Sequence, residues 1–207
     1  MEFDLVLQKR KMCRSFRDDA LTDAEITSLA RAALRGPSAG FSQGIEYLIL
    51  TTEQDRRRFW ENQVDVDWLS RNPSHRDTQA APLLMVVLSG PTAYLTRYAM
   101  PDKGSSGLHS IENWPVPFWI FDAGASAMAV LLKAVDLGLA AGFFGIFRNQ
   151  GDLAVKFNIP AELIPVGVIA VGHAKSDNRL GSAKAIPRRD PATQLHAGEY
   201  GKGSKSR

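Results

Sequence analysis

The sequence of 207 residues is poor in the residue types that build cross-links and metal sites. Cys13 is the only cysteine, so the chain forms no internal disulfide and no metal site with several thiolate ligands. The four histidines are scattered, and none has the His-x-x-His or His-Glu-x-x-His spacing typical of zinc sites. We therefore predict no metal centre and structural or surface roles for the histidines. Such sparse cysteine usage favours the reducing cytosol.

Motifs for catalysis by protein groups alone are also missing. Gly36 and Gly40 fit neither the Gly-x-Gly-x-x-Gly pattern of dinucleotide-binding folds nor the Walker pattern of phosphate-binding loops. Ser38 lacks the Gly-x-Ser-x-Gly setting of a hydrolase nucleophile. If the chain is an enzyme, a cofactor must supply its chemistry.

The charge pattern of nucleic-acid-binding and secreted proteins is absent as well. The formal net charge is only +3, and the basic residues form no broad stripe. The N-terminus, with Glu2 and Asp4, does not have the basic-then-apolar plan of a secretory signal. The one long apolar run, residues 118–133, contains Asp122 and Lys133, which argue against a bilayer span. We expect a cytoplasmic protein that binds neither nucleic acid nor membrane.

The composition is that of one folded domain. Hydrophobic residues make up 44% of the chain and charged residues 23%, without a break that would separate two domains. We therefore predict a single domain over residues 1–207. Its last part, residues 181–207, is polar and has no helical period, so we predict an extended C-terminal segment that wraps a neighbour or frays.

A dense basic cluster near the N-terminus is the strongest local signal. Five cations fall within the nine residues 9–17. Cations this close repel one another unless an anion lies between them, and a phosphate suits the planar fork of arginine. The cluster therefore indicates an anion site, although the same charge run also fits a solvated surface.

A helix and a loop follow the basic cluster. Thr22 and Glu25 form a capping-box pattern that predicts a helix over residues 23–34, ended by Gly36 and Pro37. A loop of small residues, 38–44, leads into a predicted strand near residues 47–51.

The rest of the chain predicts further elements. We predict helices near residues 4–11 and from about residue 53, buried strands at 83–88 and 164–171, and an irregular segment at 89–117. Residues 118–139 are apolar almost all round, which predicts a buried helix. A turn is predicted at residues 142–146 after that helix.

The order of these pieces resembles the flavin-dependent nitroreductase family. The basic segment reads Arg-x-x-x-Arg-Ser-Phe and the loop reads Pro-Ser-x-x-x-Ser-Gln, and the resemblance continues to Gly172-His173 and the late Arg188-Arg189 pair. It implies an α+β fold, a three-layer α/β/α sandwich with a central mixed sheet flanked by helices. It also implies an intertwined homodimer with the long apolar helix at the interface. If the face that carries Ala127 is the contact, an aspartate at that position is predicted to give insoluble or unfolded protein.

The resemblance implies FMN as the cofactor. Arg10 and Arg14 match the residues that hold its phosphate, and Lys11 would neutralise further charge or meet the polar edge of the ring. Either Arg188 or Arg189 would close the phosphate site from the other side. Backbone along the flavin ring would come from a second subunit, through Pro37, Ser38 and Ala39. The turn along one ring face matches Phe143, Phe144, Gly145 and Ile146, with the Gly145 N–H as the donor to flavin N5.

The implied function is an FMN-dependent oxidoreductase with a two-step reaction. A reduced nicotinamide or similar donor delivers hydride, leaves, and is replaced by a small planar acceptor such as a nitroaromatic or a quinone. The alternative is a non-catalytic module that binds or sequesters flavin on the same fold.

Two residues depart from the family pattern. Met12 stands where the family commonly has serine, which removes a possible contact to the phosphate or the ring. Phe41 stands where the family has asparagine. It is predicted either to edge the substrate channel, where it would stack over flat acceptors, or to be a core residue.

Overall fold

The computed structural model describes residues 1–175 and 186–202, and it contains seven α-helices and four strands in that part of the chain. The helices are α1 (Phe3–Lys9), α2 (Asp23–Ala33), α3 (Glu53–Gln63), α4 (Val66–Arg71), α5 (Pro91–Tyr98), α6 (Phe118–Asp136) and α7 (Gln150–Phe157). The strands are β1 (Ile45–Leu50), β2 (Leu83–Ser89), β3 (Ala140–Gly145) and β4 (Ile164–Gly172).

The strands form one sheet in the order β1-β2-β4-β3, and every neighbouring pair is antiparallel. All seven residues of β2 are buried, as its continuous apolar run predicted. The expected mixed sheet is antiparallel in these four strands. Among the described residues, the parallel component is the isolated bridge between Met12 and Ala141.

Helices cover both faces of the sheet, which confirms the α+β three-layer sandwich. On one face, α2 and α6 pack against the sheet through residues such as Leu29, Val130 and Ile169. On the other face, α3 and α7 contribute Phe59 and Leu153 to a second core cluster. Each of these helices buries an apolar stripe against the sheet, so the sheet has a core cluster on each of its faces.

The capping box at the start of α2 forms as predicted. The backbone N–H of Glu25 donates to Thr22 Oγ1 at 3.2 Å, and the backbone N–H of Thr22 donates to Glu25 Oε2 at 2.8 Å. These bonds to Thr22 hold the pKa of the Glu25 carboxyl below its usual range, because they favour the charged form.

Two segments differ from their predictions. The expected turn at 142–146 is mostly strand β3, which pairs along β4 with Phe143 opposite Ile169. The segment 89–117 is not irregular throughout, because α5 begins at Pro91. Proline suits the first turn of a helix, where its missing N–H would have had no intrahelical partner.

Helix α6 ends at Asp136, three residues before the predicted end. It is long and apolar enough to cross a membrane, and among the described residues it is the one helix with that property. Eight of its residues are buried, including Ala123, Ala127 and Val130, and these belong to the same core cluster as the sheet. The helix therefore packs as the core helix of a folded domain.

Candidate functional site

The basic segment lies along the edge strand β3. The Cys13 N–H donates to the Ala141 carbonyl at 2.9 Å, and Met12 forms the parallel bridge to the same residue. The Phe143 N–H donates to Met12 Sδ at 3.5 Å. The Met12 thioether thus lies at the edge of the sheet and accepts a hydrogen bond from a backbone N–H of β3. The structure therefore brings residues 10–14 beside residues 141–143, which lie about 130 positions later in the chain.

This close approach requires glycine at position 142. A Cβ atom there would lie 2.2 Å from the Cys13 carbonyl oxygen, which is far inside van der Waals contact. The basic segment and β3 therefore fit together only because Gly142 has no side chain.

The cations of the segment are not equally exposed. Lys11 is exposed, whereas Arg10 and Arg14 are half-buried. The Arg14 carbonyl accepts a hydrogen bond from Thr78 Oγ1 at 2.6 Å. This bond fixes the backbone at Arg14. Cys13 is buried, and burial raises the pKa of its thiol. Its thiol is therefore a packing group and not a nucleophile.

A polar cluster that the sequence patterns did not predict holds the end of the basic segment. Lys175 Nζ donates to Asp77 Oδ1 at 2.6 Å, and Ser15 Oγ donates to Asp77 Oδ2 at 3.4 Å. The Lys175 N–H also donates to the Ser15 carbonyl at 3.1 Å. Asp77 lies 62 residues from Ser15 and 98 from Lys175, so no local motif signals this cluster. Its ion pair between Lys175 and Asp77 joins residues near the end of β4 to the end of the basic segment.

A cavity of about 340 Å³ opens where β3 ends. Aromatic and aliphatic side chains line most of it, and Gln63, Gln79 and Arg148 add polar groups. Thr78 lies in its wall and also bonds the Arg14 carbonyl, so the cavity adjoins the basic segment. The remaining lining residues are Phe59, Trp60, Val64, Asp65, Leu69, Phe144, Gly145, Ile146, Phe147 and Val168.

The four residues predicted along a flavin ring have different environments. Phe143 packs with the core on the α6 side of the sheet, and Phe144 packs with the core on the α3 side. The Ile146 side chain is buried, so only its backbone can meet a ligand. Gly145 is exposed, and the ring of Phe147, which is 91% exposed, lies against it: a Cβ at Gly145 would be 2.2 Å from Phe147 Cζ.

The loop at residues 37–41 packs on α6 and α5. The Ala39 N–H donates to Asp122 Oδ2 at 2.8 Å, and Arg97 Nε donates to the Gly40 carbonyl at 2.8 Å. Ser38 Oγ accepts the Gln43 N–H at 2.8 Å. The loop is therefore anchored at several points within its own chain.

The loop and the basic segment contact different parts of α6 and β3. The loop bonds Asp122 in the first half of α6, whereas the basic segment pairs with Ala141 in β3, beyond the end of α6 at Asp136. Fourteen residues separate Asp122 from Asp136, which corresponds to about 21 Å along the helix axis. No described contact brings Pro37, Ser38 or Ala39 to the basic segment of the same chain.

Phe41 is a surface residue. Its side chain is 74% exposed, so the alternative that it belongs to the core is wrong. Its φ of 58° lies in the left-handed region, which a bulky residue seldom adopts. The anchored loop thus presents a bare aromatic side chain in a strained conformation.

The late arginines lie in an extended segment. Arg188 and Arg189 are both exposed, and Arg189 Nη2 donates to the Thr193 carbonyl at 3.5 Å within the same segment. The predicted segment also includes residues 181–185 and 203–207, which lie outside the described residues.

The outer face of α6 carries exposed apolar residues. Phe121 and Met128 are exposed at positions that share one helix face, and Gly124 lies between them. Ala127 does not belong to this face. It is 1% exposed and packs in the core of its own chain, so its expected place at an interface is wrong.

The site brings two half-buried arginines close to a cavity that is lined mostly by apolar side chains. Residues 1–175 and 186–202 contain no group of three or more histidine, cysteine, aspartate or glutamate side chains that could hold a metal ion.

Comparisons with known proteins identify a family for this chain. The model of the Nitroreductase family matches residues 7–173. A protein of Archaeoglobus fulgidus with the provisional name NADH dehydrogenase/NAD(P)H nitroreductase is 20% identical over 83% of this chain and 85% of its own. The structure of NfrA2 from B. megaterium has a TM-score of 0.72 at 21% identity, covering 97% of this chain and 75% of that one. A nitroreductase family protein from Clostridium difficile has a TM-score of 0.71 at 16% identity, covering 96% and 99%.

Proposed function

The chain belongs to the nitroreductase family of oxidoreductases, and on that premise we propose that it is an FMN-dependent enzyme. It transfers electrons from a reduced nicotinamide to a small planar acceptor, such as a nitroaromatic or a quinone, in two separate half-reactions. The observation that carries this proposal is the pairing of the basic segment with β3 through Met12 and Ala141, beside a cavity.

The residues present fit FMN. Two half-buried arginines on a backbone fixed by Thr78 suit a phosphate, because guanidinium groups form charge-assisted bonds to its oxygens. Gly142 has no side chain and so lets the basic segment lie directly against β3, the strand whose residues are predicted to follow a flat ring. The apolar cavity at the same strand end accommodates part of an aromatic group.

Each part of the chain then has a physical task. When bound, FMN supplies the hydride and electron chemistry. Arg10 and Arg14 hold the phosphate, with Lys11 and one of Arg188 and Arg189 as further cations. The backbone of residues 143–146 orients the ring, and the Gly145 N–H donates to its N5 atom. Phe41 lies at the acceptor channel.

We further propose that the functional unit is a homodimer. The loop at residues 37–41 bonds Asp122 in the first half of α6, and the basic segment pairs with β3 beyond Asp136, so we infer that one chain does not supply both to one site. A second copy packed on the outer face of α6 would bring its loop to the first copy's basic segment. Such a dimer would cover the exposed apolar side chains of Phe121 and Met128 on this face.

The α6 contact is tested with Met128→Asp, which places a charge on the exposed face without disturbing the protomer core. We expect the variant to sediment as a monomer with weakened FMN binding. Val155→Asp is the matched control, because Val155 is also an exposed aliphatic residue but lies on α7. A dimeric Met128→Asp variant with unchanged FMN affinity would contradict the interface.

Steady-state kinetics test the reaction itself. The purified protein is loaded with FMN, and NADH or NADPH oxidation is followed with a quinone as acceptor. Two half-reactions at one site predict parallel double-reciprocal plots as the acceptor concentration is varied. Stoichiometric FMN binding without turnover of either donor would instead support a flavin-sequestering module.

A further inference from the structure

A buried carboxylate of α6 holds the loop at residues 37–41. Asp122 is 5% exposed, and its Oδ2 accepts two hydrogen bonds, from the Ala39 N–H at 2.8 Å and from the Tyr94 hydroxyl at 2.7 Å. A buried charge is costly unless its partners remain in place. The carboxylate therefore fixes the position of the Ala39 amide.

The loop fits closely against the same helices on both sides of Ala39. A Cβ at Gly36 would lie 2.9 Å from the Cα of Ser126 on α6, and a Cβ at Gly40 would lie 2.7 Å from the Tyr98 ring. The Phe41 N–H donates to the Ser38 carbonyl at 2.8 Å. Both polar groups of the Ser38–Ala39 peptide are thus hydrogen-bonded, and the bond to Asp122 links this peptide to α6.

The Tyr94 hydroxyl keeps the carboxylate in place. Tyr94 is fully buried, and burial together with the neighbouring Asp122 raises the pKa of its hydroxyl far above its ordinary value. The hydroxyl therefore stays protonated at physiological pH and remains a donor. The Tyr94 hydroxyl is thus a second hydrogen-bond donor to Asp122 Oδ2, beside the Ala39 N–H, and it restricts rotation of the Asp122 side chain.

We propose that Asp122 is the positioning residue of a site shared by two chains: through the Ala39 amide it fixes the Pro37–Ala39 backbone that covers the flavin bound to the partner's basic segment. This inference rests on the proposed function, because it assigns Asp122 a role toward FMN. Asp122 lies on the same helix as the exposed Phe121 and Met128, so the interface and the flavin cover are held by one element.

The first test separates positioning from general stability. In the flavin-free protein, Asp122→Ala is expected to accelerate hydrogen–deuterium exchange at the Ala39 amide at least tenfold, and FMN affinity should fall about tenfold. Asp122→Asn keeps an oxygen acceptor, so both effects should be within about threefold of wild type. The matched control is Ser126→Ala, which removes a buried polar group from the next turn of α6. It should lower the melting temperature and leave both readouts unchanged.

Faster exchange in Asp122→Ala with unchanged FMN affinity would overturn the role toward FMN. If Ser126→Ala changes amide exchange at Ala39 and FMN affinity as much as Asp122→Ala does, Asp122 contributes only general stability and its positioning role is wrong. If Asp122→Ala does not fold, Ala39→Pro removes the same hydrogen bond from the loop side. Ser38 has an extended backbone (φ −142°, ψ 117°), which is compatible with a following proline.

The second test asks which chain the loop serves. Asp122→Ala and the double variant Arg10→Ala/Arg14→Ala are coexpressed with different tags, and the mixed dimer is isolated. If the loop serves the partner, one site of the mixed dimer combines an intact loop with intact arginines, so one FMN per dimer binds with near wild-type affinity. If the loop serves its own chain, both sites are damaged and even the tighter one binds FMN about tenfold more weakly than wild type, which overturns the proposal. Failure of wild-type protein to bind FMN would instead reject the proposed function.

Discussion

Removing both predicted phosphate-binding arginines should weaken FMN binding by orders of magnitude. A charge-assisted hydrogen bond contributes about 1.5–3 kcal/mol, so Arg10→Ala/Arg14→Ala should cost about 3–6 kcal/mol if the two contacts are independent. That range corresponds to roughly two to four decades in the dissociation constant.

The assay is a titration of FMN fluorescence with wild-type and variant protein, repeated with riboflavin. Riboflavin lacks the phosphate, so its affinity should be low for the wild type and barely change in the double variant. Arg17→Ala is the matched control, because Arg17 belongs to the same cluster but pairs with Asp19 at 3.0 Å on the surface. Equal FMN affinity of the double variant and the wild type would refute the assignment of the phosphate site.

Three further changes test other parts of the molecule. Phe41→Ala should leave FMN affinity and melting temperature nearly unchanged, because the side chain is exposed, whereas a core phenylalanine would cost about 3–5 kcal/mol. It should weaken the apparent affinity for small planar acceptors and raise turnover of bulky ones; an unaltered acceptor profile would refute its place at the channel. Gly142→Ala should destabilise the protein by about 1–3 kcal/mol in urea unfolding and weaken FMN binding, since its Cβ meets the Cys13 carbonyl. Gly151→Ala, with open space around its Cβ, should not destabilise. Glu25 has a lowered pKa in the folded state, so its capping contribution is present above the unfolded-state value, about 4.3, and is lost as the pH falls through the folded-state value. Glu25→Gln should therefore flatten the melting temperature between pH 6 and 3, and an unchanged profile would show that the cap does not contribute.

Local chemistry predicted the elements whose signals are contained in their own residues. The Thr22 and Glu25 pair specified the start of α2, and the continuous apolar run predicted the buried strand β2. Strand β3 was missed because its residues, 140–145, are alanine, glycine and phenylalanine without alternation. Its extended conformation depends on pairing with β4, which is distant in sequence.

The residues of the candidate site also differ in whether a local sequence pattern points to them. The arginines at positions 10 and 14 are predicted site residues because they belong to one short motif, and their role stays a prediction. Asp77 and Lys175 were missed because only the folded chain brings them to Ser15. Ala127 was misplaced because a helix apolar all round does not show which face meets the sheet. Burial of Ala127 and exposure of Met128 distinguish those faces.

The visible spectrum of the FMN-loaded protein during anaerobic addition of a reduced nicotinamide tests the central proposal most directly. We expect one tightly bound FMN per chain and loss of the yellow absorption on addition of about one equivalent of NADH or NADPH. Persistent colour with both donors would contradict the proposed enzyme, and protein that binds no FMN would contradict the site itself.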